Sequence, residues 1–518
     1  MNGGADRRSR AVSRAEGRPE AGSGRLSRRR SEHRFGSEHR KRATVQSAFF
    51  SCCAKRGNTE KNRDRRDYRD HRDRGDRNSY RKQAFSRDLR LIPAFGLVLA
   101  LSLLLFSLIR DRSLPGARKG GGSAAVRAEL LAKQYDYDGA LAVLQAEPGF
   151  SESSSMRRLA ERIQREKESC VPYPPDQVPH IFFHTLIVDT DLAFDGDSKQ
   201  DGYNQVMTTI PECRSILEEL YQRGYVLVSL HDLCEPAQDG TVRLKELLLP
   251  EGKTPIVLSQ DDVSYYHYME GDGFARKLFV NSDGKVKNLY LDAKGQTLTG
   301  DYDLVPLLDS FVEKHPDFSY HGHKGILALT GYEGVLGYRT DEVYLTREQD
   351  RVTAYQQQFF DTHPDFDWQK ELEEASQTAS AMRENGWEFA SHTWGHINPE
   401  RAGLEGLRRD TQRWKTYVAP IVGETDVMIF AFGADIGGYM PYTHDNELFN
   451  ELKSQGFSIF CGVDASVPYW VQVGSDFFRQ ARRNLDGYRM YYNPELVSDL
   501  FDARSVFDKS RPLPVPEM

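Results

Sequence analysis

Between residues 178 and 510, short runs rich in Val, Ile and Phe alternate with stretches of helical pattern, and no other feature restricts the fold as much. "HIFFHTL" is followed by a helical segment at 211–223 and by "YVLVS"; "PIVLS", a helix near 303–314 and "GILALTG" come next. A long helix at 365–385 leads to "WEFAS", and one near 404–417 leads to "VMIFAF". A helix at 444–455, "FSIFCG", a strand near 488–492 and a last helix end the series. Strands separated by helices over ~340 residues predict a parallel α/β sheet or barrel. In such folds the chemistry sits just past the C-terminal ends of the strands.

The chain around this region is divided by charge. Its 518 residues exceed one ordinary domain, and the formal net charge of −7 conceals a split. Residues 1–90 hold 27 Lys and Arg against 12 Asp and Glu, a net of +15; the rest holds 42 against 64, a net of −22. The boundary is "LIPAFGLVLALSLLLFSLI" at 91–109, which carries no charge. As a helix it would span roughly 28 Å, close to the thickness of a bilayer core. The basic residues before it predict a single-pass anchor in the cell membrane, with a cytoplasmic N-terminus and an extracytoplasmic remainder. A cleaved signal peptide does not fit so long a leader with no small-residue cleavage site after the apolar run.

The leader 1–90 mixes Arg with Asp, as in "RDRRDYRDHRDRGDR", and lacks apolar periodicity. It reads as a disordered cytoplasmic tail that sets topology, so no nucleic-acid partner is expected. Residues 110–123, ending in "RKGGGS", read as a linker. Residues 124–169 read as a pair of helices resembling one tetratricopeptide unit, a spacer or packing collar, and 170–518 as the catalytic domain. Cys52 and Cys53 fall in the leader. Cys170, Cys213, Cys234 and Cys461 lie beyond the anchor with a spacing unlike any metal knuckle, which leaves a Cys213–Cys234 bridge or four free thiols.

The strand ends hold the candidate site. Past "PIVLS" stand Gln260, Asp261 and Asp262; past "WEFAS" stand His392 and His396, four apart. "HIFFHTL" carries His184, "VMIFAF" opens into Asp435 and "FSIFCG" into Asp464. Two neighbouring carboxylates disfavour each other's ionisation, and a cation that binds one leaves the other as a base. Asp262 with His392 and His396 makes one carboxylate and two imidazoles, with room for a water. That is the donor set of an open catalytic zinc site, and it admits Co2+ or Ni2+ as well. His321 and His323 in "YHGHK" read as a solvated loop.

These residues resemble the polysaccharide deacetylases of the NodB-homology type (carbohydrate esterase family four), in their membrane-anchored bacterial form. "SQDD" at 259–262 resembles the family's Thr-Phe-Asp-Asp strand end, and "ENGWEFASHTWGH" resembles its Gly-x-Glu-x-x-x-His-Thr-x-x-His run. "PHIFFHTL" and "LEELYQRGYVLVSLHDL" are similar to its opening strand and the helix and strand that follow. The resemblance implies a distorted (β/α) barrel of seven or eight strands. It also implies metal-dependent deacetylation of N-acetylated or O-acetylated glycans of the cell wall or an exopolysaccharide. Asp261 is implied as the general base toward a water held at the ion, with Asp262, His392 and His396 as ligands. Thr393 would orient a ligand or the loop backbone. Aromatic residues at 265–268 and 469–470 either stack on sugar rings or pack the barrel.

Three positions depart from the family pattern. Gln260 stands where the family has Phe. "FAFGADIGG" at 430–438 lacks the Arg and Pro of the motif that orients the base, and Arg482, or its neighbour Arg483, is the candidate to supply that charge. No histidine follows His444, so the family's terminal proton donor is missing. His184 is the candidate replacement, with His444 or return of the proton through Asp261 as alternatives. Two other functions stay open: a catalytically impaired carbohydrate-binding protein of the same fold, and a membrane protein that scaffolds wall machinery.

Overall fold

Parallel strands buried on both faces read as unbroken apolar runs, and most of the strands here have that character. The structure is a computed structural model that describes residues 123–518. Eight parallel strands follow in chain order: β1 (His180–Phe183), β2 (Tyr225–Leu227), β3 (Thr254–Asp261), β4 (Gly325–Leu329), β5 (Trp387–Ser391), β6 (Val427–Ile429), β7 (Ile459–Val463) and β8 (Phe478–Asn484). Seven of them close a ring in the order β1-β3-β4-β5-β6-β7-β8, every pairing parallel, which makes a (β/α)7 barrel. β2 stays outside the ring. It pairs with the first half of β3, from Tyr225↔Thr254 to Leu227↔Ile256, while the second half of β3 pairs with β4. On the other side of β1, a short antiparallel strand, Val471–Val473, covers the first half of β8, and only Arg483 and Asn484 reach β1. Both departures lie toward the N-terminal end of the barrel.

The strand expected near 488–492 is a correction. Those residues belong to a helix, Gly487–Tyr492, started by Asp486, whose carboxylate accepts the Arg489 amide hydrogen at 2.7 Å. The last strand is "FRQARRN", which no hydropathy reading selects. Its three arginines are buried because each has a carboxylate: Asp435 for Arg479, Asp261 for Arg482 and Asp499 for Arg483.

Residues 124–168, expected as two helices, form three: α1 (Ala124–Lys133), α2 (Tyr137–Gln145) and α3 (Ser154–Glu168). The "DYDGA" break separates the first two, with Tyr135 at φ 64° and Asp136 capping α2 through the Gly139 amide at 2.9 Å. Ala128, Ala132, Leu144 and Ile163 of these helices join Val257, Ile326, Ala390, Val427 and Ile459 of the barrel strands in one buried cluster. The Tyr135 hydroxyl donates to the Asp317 carbonyl at 2.7 Å, and the His321 amide donates to the Gln134 carbonyl at 2.7 Å. The helices therefore plug the N-terminal end of the barrel. The bond to Gln134 ties the backbone of His321 to α1 while the residue itself stays exposed, as a solvated loop requires, and His323 is half-buried, 3.7 Å from Asp232.

Around the ring run α4 (Ile210–Gln222), α5 (Leu304–Lys314), α6 (Trp368–Glu384), α7 (Pro399–Tyr417) and α8 (Glu447–Ser454). Alternation along each strand sorts the layers. On β3, Ile256 and Leu258 share a cluster with Ile216 and Leu220 of α4, while Val257 joins the interior cluster. A three-stranded antiparallel meander, Ala275–Val280, Val286–Leu291 and Thr297–Gly300, is inserted between β3 and β4. The four cysteines of the described residues are free. Cys213 and Cys234 lie in separate buried clusters, so the bridge considered above does not form. The tail 1–90, the anchor 91–109 and the linker as far as residue 122 lie outside the described residues. Among the described residues no helix is long and apolar enough to cross a membrane.

Candidate metal and catalytic site

Asp261, the last residue of β3, shares its inward face with Ser259. Arg482 of β8 clamps its carboxylate with both nitrogens, Nη1 to Oδ1 at 2.7 Å and Nη2 to Oδ2 at 2.9 Å, and Nη1 also donates to Ser259 Oγ at 3.1 Å. Arg483, one residue on, faces the opposite way and pairs with Asp499. Burial pushes the Asp261 carboxyl up, but the Arg482 guanidinium outweighs it, with help from His392 and His184, and holds the group at about 2. Asp261 is ionised throughout the neutral range.

Consecutive strand residues face opposite sides, so two adjacent carboxylates would ordinarily be split between layers. Asp262 avoids this by taking φ 61°, a left-handed conformation rare outside glycine. Thr393 and His396 do the same, at 62° and 48°. Such strain persists only where surroundings over-determine it. Here Thr393 Oγ1 accepts the Ile397 amide at 2.9 Å, and Asp410 of α7 accepts the Trp394 and Gly395 amides at 2.5 and 2.9 Å. The Arg413 guanidinium covers the Trp394 ring at 3.2 Å.

The result is a converging set. One ligand atom each from Asp262, His392 and His396 lies within 4.8 Å of the others. His392 Nδ1 is 2.8 Å from the Ile429 carbonyl, which can only accept, so the proton is on Nδ1 and Nε2 keeps its lone pair. Burial lowers both imidazoles, His396 to about 3, so each is neutral and able to ligate at neutral pH. Burial also raises Asp262, whose Oδ2 has no hydrogen-bond donor. A bare buried carboxylate oxygen beside two uncharged imidazoles is costly without a cation and ordinary with one. The residues fit a divalent ion that takes nitrogen and oxygen ligands, Zn2+ or else Co2+ or Ni2+.

His184 follows β1 and is buried, its Nδ1 3.1 Å from the Val206 carbonyl. It is close enough to act electrostatically on Asp261, Asp262 and His396. His444 is elsewhere, its side chain 69% exposed and paired with Asp476 at 3.7 Å. Asp435 is taken by Arg479 and by the Tyr442 hydroxyl, and Asp464 caps a turn through the Ser466 amide. Gln260 donates to Asp303 at 2.8 Å and to the His184 carbonyl at 3.3 Å, which ties β3 to the end of β1. Two contacts were not singled out from sequence. Phe432 meets His396 edge-on, with centroids 4.2 Å apart, and the Tyr266 hydroxyl reaches Asp262 Oδ1 at 2.9 Å. No sequence signal pointed to the second, because residues 262–266 are not helical and a spacing of four there does not put two side chains on one face.

No protein-family model matches the chain, and no curated protein matches it by sequence. Among solved structures, the "Streptococcus pyogenes deacetylase PplD in complex with acetate" is similar over 61% of this chain and 94% of that chain, with 10% identity and a TM-score of 0.31. With likeness that low, the functional reading rests on the site's own geometry.

Proposed function

We propose that the chain is a metal-dependent hydrolase that removes acetyl groups from N-acetylated glycans, and from O-acetylated ones, of a cell wall or exopolysaccharide. The observation that carries this reading is the donorless Asp262 Oδ2 converging with two neutral imidazoles beside a second carboxylate, Asp261, that is held ionised. An ion bound there supplies a Lewis acid that polarises an acetyl carbonyl and makes water more acidic. Asp261 accepts the proton of the attacking water, and Arg482 fixes its orientation while keeping it ionised. His184, taking the role of the missing terminal histidine, gives a proton to the departing amine as the C–N bond breaks, so that water and acetamide become acetate and a free amine. We propose also that residues 91–109 anchor the chain in the cell membrane with the barrel outside the cytoplasm, which suits a wall or exopolysaccharide substrate.

The test is acetate release from N-acetylglucosamine oligomers and purified peptidoglycan by the whole chain, after chelation and reloading with Zn2+. Acetate should form with the ion and vanish in Asp261→Asn, which keeps the ligands and should keep metal affinity. A chain that binds the ion tightly and releases no acetate from any of these would be the carbohydrate-binding protein that the lack of any histidine after His444 favours.

A further inference from the structure

Asp262 can offer an ion one oxygen or two, and its surroundings distinguish these. Oδ1 accepts from the Tyr266 hydroxyl at 2.9 Å, while Oδ2 has no donor. The Tyr266 oxygen is also 2.6 Å from Thr330 Oγ1, which in turn is 3.2 Å from Ser264 Oγ. An ionised carboxylate only accepts, so the Tyr266 proton points at Asp262 and the Thr330 hydroxyl donates to Tyr266. The phenol has little freedom to leave this position. Its ring is stacked on Tyr332 with centroids 4.6 Å apart and planes 5° from parallel, and on Tyr268 at 5.7 Å and 16°. The Tyr332 loop is tied in turn to the histidine loop, because the Gly331 and Tyr332 amides both donate to the Trp394 carbonyl, at 2.8 and 3.1 Å. Its neighbour Tyr265 serves a separate network, donating to Asp303 at 2.7 Å.

Resting on the metal-site reading above, we propose that Tyr266 is a positioning residue: it occupies Asp262 Oδ1 and so makes Asp262 a ligand through Oδ2 alone. The stacked tyrosines and Thr330 join the loops after β3, β4 and β5 into one support for the three ligands. A carboxylate limited to one oxygen leaves coordination positions open for water and substrate, whereas a chelating carboxylate would fill one of them.

Three measurements on the whole chain decide it: Zn2+ affinity by competition with a chelator, the visible spectrum of the Co2+-loaded protein, and the melting temperature without metal. Tyr266→Phe keeps the ring and the stack and removes only the hydroxyl. Its metal-free melting temperature should stay near that of the parent, while Zn2+ affinity falls by about 10- to 100-fold. Its Co2+ spectrum should change from the intense bands of a four-coordinate site toward the weaker ones of a five-coordinate site. Thr330→Val, which leaves the Tyr266 donor in place, should change both readouts less. Unchanged affinity and spectrum in Tyr266→Phe would overturn the assignment while leaving the metal reading intact. A parent chain that takes up no Zn2+ would overturn both.

Discussion

Without the Arg482 guanidinium, Asp261 would be a buried charge stripped of its hydrogen-bonding counter-ion. Arg482→Met should therefore cost about 3–5 kcal/mol in urea unfolding at neutral pH. Arg482→Lys should recover part of it, since a single ammonium cannot reproduce the two-nitrogen clamp. The pH dependence has a definite sign. The folded-state value of Asp261 is depressed, so the stability it contributes is present above the ordinary carboxylate value near 4 and lost as pH falls from there through about 2. His231, outside the candidate metal site, works in the opposite direction. Its Nδ1 is 3.1 Å from Glu388 and its Nε2 2.9 Å from Asp426. Burial lowers its pKa, but hydrogen bonds to the two carboxylates outweigh burial and raise it to about 10. A raised histidine stabilises fully below about 6.5 and loses that contribution as pH rises toward 10. The melting temperature should decline over that window, and His231→Gln should flatten the decline. At this scale sequence distinguished little. Arg482 and Arg483 are equivalent as letters, and only the alternation of β8, set against the inward face of Asp261, separates the one on Asp261 from the one on Asp499.

The loop between β5 and α7 is where element-scale packing meets the site. Asp410, about three turns into the long helix, holds two consecutive amides of the loop that carries both histidines. Asp410→Ala leaves those amides without acceptors, each at a cost of about 1–3 kcal/mol if they remain buried. We expect lower stability in denaturant and weaker Zn2+ binding, with Asp410→Asn milder because it keeps one acceptor oxygen. The strands that read clearly were those whose burial is apolar: "PIVLS", "ILAL" and "IFCG" announce themselves. β8 did not, because its burial is achieved by ion pairs formed with residues far away in sequence. "GYRMYY" misled for the converse reason, since aromatic residues suit strands, yet Asp486 begins a helix there. The adjacent aspartates and the spaced histidines were legible because their spacing is local. Tyr266 was not, because what distinguishes it from Tyr265 is the direction of its hydroxyl.

Over the whole molecule, the barrel is plugged at one end by α1–α3 and polar at the other. Ala128, Ala132, Leu144 and Ile163 supply part of the interior cluster, so a chain begun at residue 170 would expose Val257, Ile326 and Val427 to water. Such a truncation should melt at a lower temperature than one begun at residue 123, or accumulate as aggregate; differential scanning calorimetry on the two would decide. The barrel itself was legible from the β/α alternation. Its count of seven was not, since the exclusion of β2 depends on pairing that leaves no mark in β2's own sequence. The ring is sealed by its first and last strands, and the last one carries Arg482. A ribosome delivers Asp261 more than two hundred residues before its counter-charge. A nascent or prematurely terminated chain would thus hold every proposed metal ligand and still lack the clamp on Asp261, and the proposed hydrolysis would await the end of translation.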